Sequence, residues 1–184
     1  MEIIRCGWCE KDDLYRKYHD EEWGKPVYDD DTIFEFLVLE SFQAGLSWYT
    51  ILNKRENFRK AFEDFNYRKI AEYNEDKIEE LMQNAGIIRN RMKISATIRN
   101  AQKFLEIQKE FGTFSTYIWS FVGGKPIVNQ PKTLKEVPAT SEISDALAKD
   151  LKIRGFKFLG STVVYAHMQA TGMVCDHLVD CHCK

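Results

Sequence analysis

Between Asp31 and Ala44 the chain carries a helical segment with almost no polar side. Ile33, Phe34, Leu37 and Val38 recur at helical spacing, and aspartates at 29–31 can supply the N-cap. A helix that is apolar nearly all round is stable only when other elements cover it. At 184 residues the chain can bury such a helix within one compact domain, taken as residues 1–184. The neighbouring segments supply the cover. Asp12 and Asp13 can cap a short helix bearing Tyr15, Tyr18 and His19, and Ser47 opens another through Ile51, Leu52, Phe58 and Phe62. Asn74 caps a helix through Leu81, which Gly86 is expected to end in a left-handed conformation. Further helices read over 90–109, 114–122, 141–154 and 162–171, the last two ended by Gly155 and Gly172. The four prolines, Pro26, Pro126, Pro131 and Pro138, all fall between these patterns. Strand-type alternation is nearly absent, so the expected class is all-α.

The central helix also carries a chemical question. Glu40 follows Ile33 by seven residues and Leu37 by three, and precedes Ala44 by four, so it shares their apolar face. A carboxylate there costs free energy unless it is partnered. It is either a structural acid satisfied by a backbone cap, a Lys or an Arg, or an acceptor held in a dry pocket for the polar edge of a ligand. Three of the four tryptophans (Trp8, Trp23, Trp48) lie in the first 48 residues, with Tyr15 and Tyr18 one helical turn apart. Aromatic clusters are commonly core, yet Trp and Tyr carry polar handles and stack on purine faces. Aromatics beside a buried acceptor suit an unstacked base.

Charge narrows the partners. The net charge of −2 argues against wholesale electrostatic wrapping of nucleic acid. The distribution is uneven, however: Arg89, Arg91, Lys93, Arg99 and Lys103 meet no acid between them, whereas residues 20–31 hold six acids and one Lys. A local basic face can bind phosphates under an acidic sum, although alone it reads as an ordinary solvated helix face. Met1 to Arg5 has no apolar leader core, and the longest mostly apolar run, Ile33 to Leu39, is too short to span a bilayer. The expectation is a cytoplasmic protein with no membrane partner.

The five cysteines sit at the two ends: Cys6 and Cys9, then Cys175, Cys181 and Cys183. An odd count points to metal ligands or free thiols rather than a disulfide framework. Cys6, His19, His177 and Cys181 offer two sulfurs and two imidazoles, a common tetrahedral zinc set. Four protein ligands leave no open position, so such a metal would tie the chain ends together rather than catalyse. Cys6, Cys9, Cys181 and Cys183 are a second option, and free thiols with surface histidines a third. Cys6-Gly-Trp-Cys9 also has redox spacing, but the βαβ context of that motif is missing.

From Leu81 to Arg91 the chain reads as helix, glycine stop, two apolar residues and a new basic helix, the layout of a helix-hairpin-helix. Backbone N–H groups of such a turn can hold a DNA phosphate without sequence preference. Ile88 stands where the motif usually has a second glycine.

Taken together, these segments resemble the 3-methyladenine DNA glycosylase I family of bacterial repair enzymes over essentially the whole chain. The marks are Cys6-Gly7-Trp8, Tyr18-His19-Asp20 through Glu22-Trp23-Gly24, and Leu39-Glu40 leading into Gln43-Ala44-Gly45-Leu46-Ser47-Trp48. Further on come Lys54-Arg55-Glu56-Asn57, Ala85-Gly86-Ile87-Ile88-Arg89, Trp119-Ser120-Phe121, Arg154-Gly155-Phe156-Lys157-Phe158 and Asp176-His177. The resemblance implies a helix-hairpin-helix glycosylase fold with one structural zinc on Cys6, His19, His177 and Cys181. It implies a base pocket of Glu40, Tyr15, Tyr18 and Trp48, with Trp8 and Trp23 nearby. Gly45-Leu46 would fill the gap left by a flipped nucleotide, and Gly86, Ile87, Ile88, Arg89 and Arg91 would meet DNA phosphates. Phe42 departs from a more often polar place and is expected to alter the pocket lining.

The implied reaction is hydrolysis of the glycosidic bond of 3-methyladenine in alkylated double-stranded DNA, without strand cleavage, by a monomer. Adenine methylated at N3 is cationic in DNA and leaves neutral, so extruding and holding the base is the main task. Glu40 would accept from the adenine's polar edge, with Trp48 and a tyrosine sandwiching the ring. Two rival classes are a non-catalytic DNA-binding module with the same hairpin and zinc, and a zinc hydrolase. The first needs no acid beside stacking aromatics; the second needs an open metal position.

Overall fold

The computed structural model describes residues 3–184; Met1 and Glu2, part of the segment read for a leader, lie outside the described residues. Nine α-helices stand among the described residues: α1 (Asp13–Glu21), α2 (Asp30–Gln43), α3 (Trp48–Ala61), α4 (Tyr67–Ile70), α5 (Glu75–Met82), α6 (Arg91–Phe111), α7 (Phe114–Ser120), α8 (Glu142–Ile153) and α9 (Ser161–Ala170). Helix α2 is central. Every residue from Phe36 to Phe42 is buried, and α3, α6, α7 and α9 pack around it. The expected caps form: Asp12, Asp29, Ser47 and Asn74 each accept the N–H three residues on, and Ser141 does the same for α8. Such caps contribute about 1 kcal/mol apiece. No described helix is long and apolar enough to cross a membrane.

The departures have physical reasons. A two-residue parallel pair, β1 (Ile127–Val128) against β2 (Val174–Cys175), is too short for any alternation to register. Helix α5 ends at Met82 rather than at Gly86, and Gly86 is not left-handed. It is small because α3 presses on it: a Cβ there would lie 3.1–3.2 Å from the Asn57 side chain. Lys93 leaves the expected basic face. It is buried, and its ammonium donates to the carbonyls of Phe42 and Ala44 at 2.9 and 2.8 Å, covering the C-terminus of α2. Phe42 faces the core, with its ring centroid 4.9 Å from that of Phe58, and does not line the pocket described below.

One contact ties the fold to the site. Gly24 and Val27 donate backbone N–H groups to Gln169 and Thr171 at the end of α9, which seats the turn bearing Trp23. The crossing is close at Gly172, with φ +69°, where a Cβ would stand 2.2 Å from the Lys25 carbonyl carbon. Gly172→Ala is therefore expected to cost at least about 3 kcal/mol, from the positive φ and the clash together. Thermal unfolding reads this directly; a change below about 1 kcal/mol would contradict the crossing.

Candidate functional site

A cavity of about 310 Å³ opens beside α2. Trp8 from the 3-10 turn Gly7–Cys9, Tyr15 and Tyr18 from α1, Trp23, Glu40 and Gln43 from α2, and Trp48 at the start of α3 line it. The opposite wall is Ala166 and Gln169 of α9, Asp176, and Leu134, Val137 and Pro138 of a loop. All six residues expected at a base pocket thus meet in one place.

Glu40 is 4% exposed, and its Oε2 has no hydrogen-bond partner among the described residues. The cations that could neutralise it are committed elsewhere. Buried Arg55 donates to Glu35 at 2.7 Å and to Glu22 at 2.8 and 2.9 Å, and Lys93 holds the end of α2. Desolvation, with no compensating charge, pushes the Glu40 carboxyl up to about 8. A buried acceptor left unpaired costs stability.

The aromatics form a continuous wall. The rings of Trp8 and Tyr15 lie 5.0 Å apart, Trp8 and Trp23 5.1 Å, and Tyr18 and Trp48 5.3 Å with a 43° tilt. Tyr15 is steadied by Tyr49, whose hydroxyl donates to the α1 cap Asp12. The indole Nε1 of Trp48 is buried without a partner among the described residues. A planar base between Tyr18 and Trp48 needs a ring separation of about 7 Å, two contacts of about 3.5 Å. The two rings must therefore part by about 2 Å to admit it. Trp48 opens α3 and directly follows the exposed Ala44–Ser47 loop. In that loop Gly45 takes φ +80° and the Leu46 side chain is 41% exposed. A second cavity of about 240 Å³ joins Gly45 and Leu46 to Glu40 and Gln43.

The hairpin is only partly available to a ligand. Gly86 N–H is taken by Asn84 Oδ1 at 2.9 Å, and Ile87 N–H points at the Asn84 carbonyl while its side chain enters the core. Among the described residues the N–H groups of Ile88, Arg89, Arg91 and Met92 make no hydrogen bond. Arg89 is exposed, and Arg91 pairs with Glu75 and Glu79. The sequence gap in acids around Arg91 is closed from α5.

Next to the aromatic wall, Cys6, His19, His177 and Cys181 converge, all buried, with their ligand atoms within 4.8 Å of one another. The Cys6–His177, Cys181–His19 and Cys181–His177 sulfur–nitrogen separations are 3.6, 3.5 and 3.5 Å. Metal bonds of about 2.3 Å to sulfur and 2.05 Å to nitrogen at the tetrahedral angle give about 3.6 Å. The outer ring nitrogens are held too: His19 Nδ1 by Asp20 at 2.7 Å, itself clasped by Arg5, and His177 Nε2 by the Trp23 carbonyl at 2.9 Å. Burial lowers His177 to about 4 and keeps it neutral, as a metal ligand must be. These four residues can hold a metal ion. The alternative set with Cys9 does not assemble; that thiol donates to the Cys6 carbonyl.

Gln43, Gln169 and Asp176 are site residues that sequence reasoning did not single out as lining. Asp176 is buried and accepts from Asn129, Tyr165 and Gln169 at 2.6–2.9 Å, which fixes the Gln169 amide. Gln169 and Ala166 lie three residues apart on α9, so helical spacing could have found the pair; Asp176 lies in irregular chain, where no periodicity marks a buried acid.

The profile of the methyladenine glycosylase family matches residues 8–184. The chain is 50% identical to DNA-3-methyladenine glycosylase 1 of Escherichia coli K12, over 97% of this chain and 96% of that protein. It is also 50% identical to DNA-3-methyladenine glycosylase of Haemophilus influenzae, over 98% and 97%. A crystal structure of 3-methyladenine DNA glycosylase I superposes with a TM-score of 0.95 at 48% identity, covering 98% of this chain and 99% of the other. The Staphylococcus aureus enzyme, solved for 3-methyladenine recognition, matches with a TM-score of 0.95 at 40% identity, covering 98% and 96%. With the family profile matched over nearly the whole chain and the fold shared with these proteins, this chain belongs to the methyladenine glycosylase family.

Proposed function

We propose that the chain is a single-domain base-excision glycosylase that flips 3-methyladenine out of alkylated double-stranded DNA and hydrolyses its glycosidic bond. The observation that carries this reading is the buried Glu40 carboxyl beside an aromatic cavity, its Oε2 without a hydrogen-bond partner among the described residues. An acid left unpaired in the empty protein is suited to a ligand that supplies both donors and positive charge. N3-methylated adenine supplies both: an exocyclic amine on its edge and a delocalised cation while bonded to the sugar. Glu40 accepts from that edge, and the aromatic wall stacks on the ring. Tyr18 and Trp48 part as the base enters, and Leu46 on the adjoining loop fills the space it vacates in the duplex. The hairpin at residues 86–91 supports the phosphates through the open N–H groups of Ile88, Arg89 and Arg91, with the Arg89 side chain free to add charge. Glu106 and Glu110, the acids on the helix after the hairpin, pair with Lys103 and Arg154 and take no part. With no lysine among the cavity residues, Schiff-base strand cleavage has no nucleophile there.

Zinc fits the two-Cys, two-His cluster, and one ion held there is a clasp between the chain ends. With all four positions filled by protein it supplies structural stability and no bound water, which disfavours a zinc hydrolase. A cytoplasmic monomer suffices for one-at-a-time lesion search.

The pH dependence carries a definite sign. In the free protein Glu40 is protonated below about 8, so a cationic base must displace a proton to meet the carboxylate. The rate constant kcat/KM should then rise tenfold per pH unit up to about 8 and level off above it. A profile flat from pH 6 to 9 would remove Glu40 ionisation from the reaction. Chromatography of bases released from methylated DNA tests the activity itself: 3-methyladenine is expected, and no released base would leave only a DNA-binding module.

A further inference from the structure

The chain ends Cys181-His182-Cys183-Lys184, and neither His182 nor Cys183 belongs to the inner cluster. Both are nevertheless held in place. His182 points Nδ1 at the carbonyl oxygen of Ile4 at 3.0 Å, while its backbone N–H donates to the same oxygen at 2.9 Å. A carbonyl only accepts, so Nδ1 carries the hydrogen and Nε2 is left with its lone pair. The half-buried Cys183 sulfur lies 3.3 Å from that nitrogen and 3.9 Å from Nδ1, over the ring, so a shift of the thiol is needed to bring it onto the lone pair. The ligand atoms of Cys181, His182 and Cys183 all lie within 4.8 Å of one another. The arrangement repeats the logic of His177, whose outer nitrogen is likewise pinned by a backbone carbonyl. Asp20 stands on the rim, 3.5 Å from His182 Nε2, but Arg5 and His19 already occupy it.

We propose that Cys181, His182 and Cys183 form a second, solvent-facing site for a thiophilic metal ion, sharing the Cys181 sulfur with the inner cluster. The inference rests on the inner zinc reading given above. Two sulfurs and an imidazole select soft or borderline ions such as Zn²⁺ and Cu⁺ over Mg²⁺ or Ca²⁺. Three protein ligands leave the fourth position to water, so the ion is exchangeable, unlike one enclosed by four. His182 is exposed, which gives ions in solution direct access.

Native mass spectrometry of the folded full-length protein, titrated with Cd²⁺, tests this. The wild type should carry one tightly held ion and take up a second under excess Cd²⁺, with added thiolate-to-cadmium ultraviolet absorption. The double variant His182→Ala/Cys183→Ser should keep the first ion and stop there. A wild type that stops at one ion overturns the second site and leaves the inner cluster standing. Two ions in the double variant overturn it as well, because the second would sit elsewhere. No ion in either protein removes the inner cluster and, with it, the shared site.

Discussion

Glu40→Gln is expected to lose about 100-fold in kcat/KM for 3-methyladenine release while folding more stably than the wild type. The loss follows from replacing a charge-matched acceptor by a neutral amide that presents one acceptor and one donor to the same purine edge. The gain follows from the carboxyl's raised pKa. Unfolded, Glu40 ionises near 4.5; folded, it holds its proton to about 8. The folded state therefore binds more protons between those values, and stability falls as pH rises through them. That penalty is absent below about pH 4.5 and fully developed above about pH 8. Glutamine escapes it at every pH, so at pH 8 the variant should gain about 2 kcal/mol, or roughly 4–8 °C in Tm. A variant that is both inactive and less stable would recast Glu40 as an ordinary structural acid.

Breaking the cluster of Cys6, His19, His177 and Cys181 is expected to have the larger effect on stability. His177→Ala leaves two buried thiols and His19 around an incomplete site, and removes the ring that packs on Trp23 at 4.7 Å and against Gly24. A metal that binds only the folded chain contributes its binding free energy to folding. The expected cost is about 5 kcal/mol, or roughly 10–20 °C in Tm. Because Trp8 and Trp23 pack on His19 and His177, base excision should fall as well. Chelator-stripped wild type should show the same shift and recover on adding zinc, whereas His177→Ala should not. Metal analysis should find one tightly held zinc per chain; a metal-free preparation of full stability would contradict the cluster's role.

Much of this arrangement is legible before any coordinates, for reasons that vary with the element. The caps Asp12, Ser47 and Asn74 and the stops at Gly155 and Gly172 are local chemistry, so neighbouring residues suffice to find them. Glu40 is conspicuous because an all-apolar helix offers it no solvent side. Gly86 misleads because its smallness answers to Asn57 on another helix rather than to its own φ, and that contact is invisible along the chain. Lys93 misleads likewise: its partners are carbonyls at the end of α2, some fifty residues back, while the lone acids facing Arg91 come from α5. Tertiary contact overrides local reading in both cases. Asp176 and the loop of Leu134 to Pro138 escape for want of any period, although they complete the cavity.

Carboxyl-selective ¹³C NMR of Glu40 is the sharpest probe, recorded across pH with and without bound 3-methyladenine. The midpoint in the free protein should lie near 8, and filling the cavity should displace it. Titration near 4.5 with no response to the base would mean that this acid is solvated or neutralised, and that recognition happens somewhere else.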